Sequence, residues 1–292
     1  MSDNQLTLMP INDLLKEKKN FLIPAYQRGF RWTKRHVEEL LNDIRDFQKE
    51  SESKSKEAFY CLQPLVVTEM DSGWVLIDGQ QRVTTIYLIL TYLQSILELL
   101  GKKRYTLQYE TRHDSENFLQ TIDLSKKYKN IDYYHICEAY ETIQKWFETQ
   151  DGNYKIKFLQ TLLNDDESGK NVKVIWYEVN ETIDSIDVFT RLNMGKIPLT
   201  NSELIKALFL KSKNFKESEV TLQQIKIATE WDAIENTLQS DEFWYFMQNK
   251  AGAYSNRIEF ILKLIADAEG DVSVPKFDPY YTFLVYNKRF SK

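Results

Sequence analysis

The sequence is poor in the residues that interrupt regular structure. Nine glycines and six prolines in 292 residues are under half of the usual share of about 12%. Few tight turns are therefore expected, which favours long helices. The longest apolar run, residues 83–100, is interrupted by polar side chains, whereas a membrane-spanning helix needs about 20 mostly apolar residues. The run predicts a core helix.

Reactive and metal-binding side chains are also scarce. The two cysteines, Cys61 and Cys137, are too few for a disulfide scaffold or a thiolate metal site, and the three histidines have no ligand spacing. No zinc-protease, Walker A or serine-hydrolase motif occurs. The start has no basic segment followed by an apolar one. These absences argue against a zinc enzyme or a serine hydrolase, and a reduced, cytoplasmic protein is expected.

The net charge is −5, so the protein as a whole would repel a phosphate backbone. Contact with nucleic acid would have to come from a local basic patch.

The remaining pattern predicts an α/β (α+β) protein. Residues 65–68 and 74–77 read as a β-hairpin, residues 172–179 as a strand, and Thr33 as the N-cap of an amphipathic helix. Residues 6–15 are expected to form a short helix and residues 48–57 a solvated loop. The late strand has to join the sheet of the hairpin, so a small mixed sheet with flanking helices is predicted. Its domain would span residues 1–210, with a helical insertion at about 102–170, and residues 211–292 would form a helical C-terminal region.

A first candidate site lies in the segment Ile77-Asp78-Gly79-Gln80-Gln81-Arg82. A strand, a tight turn and a helix N-terminus present free main-chain N–H groups and a positive dipole end, which suit an anion. Gly79 allows close approach, and Arg82 adds a guanidinium that can bind phosphate. The alternative is that Asp78 is only an N-cap and Arg82 a surface side chain paired with a nearby carboxylate.

The second and third candidates flank this segment in the sequence. Residues 24–32 interleave Gln27 and Arg28 with aromatic residues that could stack on a base or simply pack in the core. Residues 191–196 contain Asn193, whose amide could contact a base, a ribose or metal-bound water; the alternative is a helix-terminating turn at Gly195.

In this order the three segments resemble the GmrS-type module of modification-dependent restriction systems, within the ParB and sulfiredoxin-like superfamily. The matching residues are Ile23-Pro24-Ala25-Tyr26-Gln27-Arg28 with Trp32, then Ile77 to Arg82, then Phe189 to Asn193 with Pro198-Leu199-Thr200 and Glu203-Leu204. Phe30 stands where relatives often have Tyr. The similarity spans about residues 21–210, and nothing after Leu210 resembles the nuclease domain that follows in full restriction enzymes.

The resemblance implies a ParB/sulfiredoxin-like core that binds and hydrolyses a nucleoside triphosphate with Mg²⁺ and regulates cleavage of modified phage DNA by a partner nuclease. Asp78, Gly79, Gln80, Gln81 and Arg82 are carried over as the nucleotide site, with Gln27, Arg28 and Asn193 as its neighbours.

Within that site we expect catalytic roles for Asp78, Gln81 and Arg82. Asp78 would hold Mg²⁺ or orient the attacking water, and Gln81 would position water. The competing hypothesis is a non-enzymatic DNA-binding or scaffold module that grips a backbone phosphate or a modified base. A phosphotransferase or redox-repair role, by analogy with sulfiredoxins, ranks third because neither cysteine lies in a recognisable reactive turn.

Overall fold

The computed structural model describes residues 5–16, 20–180, 183–193, 200–238, 240–241, 244, 257–269, 274–276 and 278–290. By compactness the chain forms two units, residues 1–24 with 29–183 and residues 25–28 with 184–292. This division falls near residue 184, whereas the sequence analysis placed a domain boundary at residue 210. The functional division at residue 210 stays a prediction.

A six-stranded mixed sheet is the centre of the first unit. Its strands are β1 (Gln5–Pro10), β2 (Asn20–Ile23), β3 (Phe59–Met70), β4 (Gly73–Asp78), β5 (Thr106–Tyr109) and β6 (Asn171–Glu178). They lie in the order β1-β6-β3-β4-β2-β5. The pairs β1–β6 and β3–β4 are antiparallel, and the other three are parallel. The predicted hairpin and late strand are confirmed, as is the α+β class.

Seven α-helices within the described residues belong to this unit. They are α1 (Ile11–Lys16), α2 (Lys34–Ser51), α3 (Gln80–Tyr92), α4 (Gln94–Leu99), α5 (His113–Gln120), α6 (Ile131–Glu148) and α7 (Tyr154–Leu163). Thr33 is the N-cap of α2, and its main-chain N–H donates to His36 Nδ1 at 3.2 Å. Helix α3 is buried on all sides over most of its length. Its N-terminus is therefore held in place by the core rather than by a surface loop.

Three expectations need correction. Residues 5–10 form β1 instead of a helix, because they pair along their whole length with β6, and only residues 11–16 are helical. Helix α2 continues to Ser51, into the segment expected to be a loop, where Gln48 donates to Lys157 O and Thr161 Oγ1. The insertion contains β5 as well as helices α5–α7, and β5 extends the sheet beside β2.

The second unit is helical throughout its described residues. It contains α8 (Ser185–Asn193), α9 (Asn201–Phe209), α10 (Val220–Thr237), α11 (Arg257–Glu269) and α12 (Tyr281–Phe290). The predicted capping box at the start of α9 is present, since Thr200 N donates to Glu203 Oε2 at 2.8 Å. Leu199, the expected apolar partner of this cap, lies outside the described residues. A separate apolar core, which includes Leu204, Ile205 and Trp231, joins these helices.

No helix among the described residues combines the length and the apolar character needed to cross a membrane.

Candidate functional site

The turn between β4 and α3 depends on Gly79. This residue is the N-cap of α3 and has φ 104° and ψ 5°, a conformation that L-residues with a side chain rarely adopt. A Cβ atom at this position would overlap Leu65 Cδ2 of β3 and lie 3.4 Å from Pro64 O. Only glycine both adopts this positive φ readily and leaves the space that Leu65 occupies. The N-cap position is taken by Gly79, so the alternative that Asp78 is the N-cap does not hold.

Arg82, in the first turn of α3, is a largely buried side chain that fixes β3. Its Nη1 donates to Gln63 Oε1 at 2.7 Å and its Nη2 to Pro64 O at 2.5 Å, and Nη2 lies 3.7 Å from Asp78 Oδ2. Burial lowers the pKa of Arg82 and Asp78 opposes this, but a guanidinium stays charged in proteins. Arg82 therefore brings a positive charge to the turn and holds β3 where its pairing with β6 is irregular.

Gln81 connects α3 to the segment before α2. Its Oε1 accepts hydrogen bonds from the main-chain N–H groups of Arg31 (2.8 Å) and Trp32 (3.1 Å). Its Nε2 donates to Gly29 O at 3.2 Å and to Gln80 Oε1 at 3.1 Å. The carboxamide thus satisfies main-chain groups that lie about 50 residues earlier in the sequence. A water-positioning role for Gln81 would require one of these bonds to be exchanged, and it stays a prediction.

Gln80 opens the helix with a buried side chain. The residue is 4% exposed, and its Nε2 makes no hydrogen bond of standard geometry. The same holds for the hydroxyls of two residues that are also buried, Thr84 and Tyr109. Burial raises the pKa of Tyr109 to about 12, and side-chain hydrogen bonds with Thr84 and Gln80 partly offset this rise, so the Tyr109 hydroxyl lies within hydrogen-bonding reach of both side chains.

A buried ion cluster lies beside these donors. Asp132, the second residue of α6, accepts hydrogen bonds from Arg31 Nη1 (2.5 Å), Arg112 Nη1 (2.7 Å) and Ser115 Oγ (3.2 Å). Burial alone would raise the pKa of Asp132, but the Arg112 and Arg31 charges outweigh it and hold this pKa well below the usual range. A Cβ at Gly29 would overlap the Asp132 carboxylate. Gly29 therefore lets the carboxylate approach the main chain.

Gln27 and Arg28 belong to the second unit. Gln27 is buried, and Arg28 Nε pairs with Glu203 Oε1 at 2.9 Å. Next to them, the ring of Tyr26 lies 5.0 Å from that of Phe189 in α8. Tyr26 and Arg28 of the second candidate segment therefore contact α8 and α9 within this unit.

Asn193 is the last residue of α8, and its side chain lies outside the described part of the structure. The predicted nucleotide contacts of Gln27, Arg28 and Asn193 stay predictions.

Asp78 is the candidate metal ligand. Its side chain is 19% exposed, and within the described ranges no three His, Cys, Asp or Glu side chains lie close enough together to hold a metal ion. Mg²⁺ commonly takes only one or two protein carboxylates and completes its shell with phosphate oxygens and water. A single carboxylate at this turn fits that type of ion.

The structure thus brings Asp78, Gly79, Gln80, Gln81 and Arg82 together at the start of α3. Sequence reasoning missed the side chains that surround them, above all Tyr109 in β5 and Asp132 in α6. For Asp132, the one available sequence signal was a charged residue among the mostly apolar positions of the buried face of α6.

The fold and this site define the class of protein: a mixed α/β protein in which a glycine turn joins a central strand to the N-terminus of a buried helix surrounded by arginine and amide side chains. The chain belongs to the family described as "GmrSD restriction endonuclease, N-terminal domain", which residues 11–210 match. It is therefore a restriction-system module, and the family implies a nuclease domain in the complete system. No curated protein matched the chain.

Proposed function

We propose that the chain binds and hydrolyses a nucleoside triphosphate and, through it, regulates a nuclease partner that cleaves modified DNA. Membership in a restriction-endonuclease family supports a role in a DNA restriction system. The observation that carries the proposal is the Gly79 turn, which directs the N-terminus of a 13-residue helix toward the Asp78–Arg82 pair. A helix N-terminus beside a fixed positive charge is a favourable place for a phosphate group.

The residues of the turn would have different roles in nucleotide binding. The main-chain N–H groups at the start of α3 would bind the phosphates, whereas the missing side chain of Gly79 makes room for Leu65 of β3. Arg82 would contribute its charge while it keeps β3 in place. Phosphoryl transfer depends mostly on positioning and on stabilising negative charge, so a rigid, positively charged turn would suit it.

Asp78 would hold Mg²⁺, which would neutralise charge on the phosphate oxygens. Asp78 already lies 3.7 Å from a guanidinium nitrogen of Arg82. Arg82 would therefore help to orient the Asp78 carboxylate.

Nucleotide binding and phosphate release by the Asp78→Ala variant test this proposal. The matched control is Asp71→Ala, which removes a carboxylate from the exposed turn of the same hairpin. With Mg²⁺ present, we expect hydrolysis of ATP or GTP by wild type and by the control. The Asp78→Ala rate should fall on the order of 100-fold, as when a charge-stabilising group is removed.

Hydrolysis by Asp78→Ala at the wild-type rate would remove Asp78 from the site. Absence of nucleotide binding and turnover in wild type, together with salt-dependent DNA binding, would favour the non-enzymatic DNA-binding hypothesis instead.

A further inference from the structure

The edge strand β5 borders a cavity that takes no part in the proposed nucleotide site. Within the described residues β5 lies at the end of the strand order and pairs with β2 alone. A cavity of about 620 Å³, a size typical of ligand sites, lies beside it, and every residue from Gly101 to Gln108 lines this cavity. Successive side chains of a strand point to opposite faces of the sheet. A cavity that touches consecutive residues of β5 therefore lies along the edge of the strand.

The main chain of β5 directs alternate residues toward this cavity. Glu110, directly after β5, donates its N–H to Ile23 O of β2 at 3.1 Å. In a strand, the N–H and C=O of one residue point to the same side, and those of the next residue point to the other side. Gln108 thus faces β2 as Glu110 does, whereas Leu107 directs its N–H and C=O toward the cavity. Tyr109 has the orientation of Leu107.

Helix α5 covers the C-terminal end of this edge. The N–H of Tyr109 donates to Glu116 Oε2 at 3.3 Å, so a carboxylate there takes the place of a strand partner. Covering part of a sheet edge in this way prevents unwanted pairing. Two residues upstream, Leu107 still offers an N–H donor and a C=O acceptor to the cavity. Peptides that extend an exposed sheet edge use such pairs of main-chain groups.

The other end of the edge is basic. Lys102, Lys103 and Arg104 lie just before β5 and line the cavity. Lys102 Nζ donates to Asn12 Oδ1, which holds it in the fold. Arg104 Nη1 likewise donates to Thr91 Oγ1, whereas Lys103 is exposed. A ligand that enters along the edge would therefore meet two fixed positive charges and one adaptable charge at this end.

Negative charge in the cavity lining is smaller. Its two carboxylates belong to Glu98 of α4 and Glu116 of α5, against three cationic side chains. Glu98 Oε1 accepts a hydrogen bond from Gln94 Nε2 at 2.5 Å, and Glu116 lies at the far end beside Tyr109. The excess of positive charge is therefore concentrated before β5, where it would attract an acidic group.

The walls of the cavity limit what can enter it. Side chains of α4 and α5, among them Gln94, Glu98, Glu116 and Gln120, line it together with the strand. The edge of β5 thus lies in a groove bordered by helix side chains. A groove of this volume admits one extended chain of a few residues, but the helices stand in the way of a second folded sheet. A peptide segment fits these walls better than the β5 edge of another copy of this chain.

We propose that an extended segment of the nuclease partner, with acidic residues toward its C-terminal end, adds to the sheet as a strand antiparallel to β5. Antiparallel pairs are slightly more stable per residue than parallel ones. This direction also places the C-terminal end of the segment beside Lys103 and Arg104. The family implies a nuclease domain in the complete system, and the proposal rests on the proposed function only in the choice of that partner.

The first experiment selects heptapeptides that bind the full chain from a random library displayed on phage, and measures each selected peptide by calorimetry. We expect acidic residues toward the C-terminal end of the selected peptides. Lys103→Glu should weaken their binding about three- to tenfold, because one exposed attraction becomes a repulsion. Lys129→Glu, which reverses another exposed charge that is not part of the cavity lining, should leave binding unchanged and is the matched control.

Hydrogen exchange of the full chain locates the bound peptide. The peptide should slow exchange of the Leu107 N–H about tenfold or more, since that group gains a partner. Exchange of the Gln108 N–H, which faces β2, should stay the same. Peptides with N-methyl groups on alternate main-chain nitrogens provide a second measurement. One alternate set should abolish binding and the other should preserve it, because only every second N–H of an added strand faces β5.

The nuclease domain of the same restriction system, supplied as a separate protein, tests the choice of partner. We expect this domain to bind the full chain and the selected peptide to displace it. Lys103→Glu should weaken binding of the nuclease domain as it weakens binding of the peptide.

The proposal is overturned if no selected peptide protects the Leu107 N–H, if both N-methylated sets bind alike, or if the nuclease domain binds undiminished in the presence of the peptide. A dimer of this chain that the peptide dissociates would assign the edge to a second copy and would overturn the choice of partner. Phosphate release by the wild-type chain needs neither peptide nor nuclease. Failure of this proposal therefore leaves the proposed function standing, and absence of phosphate release leaves the edge of β5 to be judged by peptide binding alone.

Discussion

Substituting glycines with alanine tests whether the Gly79 turn has the two constraints inferred for it. Gly79 has φ 104°, and a Cβ there would overlap the side chain of Leu65. Gly101 has φ 66° with nothing within 4 Å of a Cβ, and Gly152 has an open position without a positive φ. Alanine would therefore meet backbone strain and steric overlap at Gly79, backbone strain alone at Gly101, and neither at Gly152.

The magnitudes follow from these constraints. Alanine at a positive φ costs about 1–2 kcal/mol, and an extra carbon forced against a packed neighbour costs a further 1–3 kcal/mol or so. Alanine also reduces the entropy of the unfolded chain, which returns roughly 0.4–1 kcal/mol. Gly79→Ala should thus lower the free energy of unfolding by about 2–4 kcal/mol and Gly101→Ala by about 1 kcal/mol, whereas Gly152→Ala should be neutral or slightly stabilising.

Equilibrium unfolding in urea, followed by circular dichroism, measures all three variants under one set of conditions. The order of the losses matters more than their size. If Gly79→Ala were no more destabilising than Gly101→Ala, the close approach of β3 to the turn would contribute nothing, and the rigidity attributed to this turn would be wrong.

Three further predictions concern contacts around the site. Asp132→Asn should lower the free energy of unfolding by about 3–5 kcal/mol because it breaks a buried ion cluster. The pKa of Asp132 is lower in the folded than in the unfolded chain. The stability that its charge contributes is therefore complete above the ordinary Asp pKa of about 4 and is lost as the pH falls below that value. The difference between wild type and Asp132→Asn in urea unfolding should therefore shrink between neutral pH and pH values of about 3. Gln81→Ala removes the acceptor of the Trp32 N–H and should speed hydrogen exchange of that amide about ten- to a hundredfold; exchange at the wild-type rate would contradict the role given to Gln81. Arg28→Ala should change stability by less than about 1 kcal/mol because its side chain is 44% exposed, whereas Glu203→Ala should cost about 1 kcal/mol more since it also opens the capping box of α9; equal losses on thermal unfolding would contradict this.

Short-range sequence patterns were enough to predict those elements that are determined by neighbouring residues. The hairpin β3–β4, the Thr33 cap of α2 and the capping box at Thr200 are each fixed by residues within a few positions of one another. β1 could not be recognised in this way, because residues 5–10 are extended only through pairing with a strand far along the chain. β5 is four residues long, too short for a periodic signal against its helical surroundings.

The same distinction applies to the site. The turn at Gly79 was accessible from sequence because strand, glycine and helix follow one another directly. The pairing of Arg31 with Asp132 was not, since the two residues are 101 positions apart and each alone resembles a solvated charge. Gln81 lies in the recognised segment Asp78–Arg82, but nothing in that segment indicates that its side-chain amide binds main-chain groups before α2.

The strand order has a consequence for how the chain reaches this structure. β6 lies between β1 and β3, and Gln5 lies opposite Glu178, so the sheet cannot close until the last of its six strands has left the ribosome. Until then β1 has no partner and one edge of β3 stays open, a state in which exposed edges invite aggregation. Because such distant pairings slow folding, synthesis of the insertion sets the earliest time at which the first unit, and with it the Gly79 turn, can assemble.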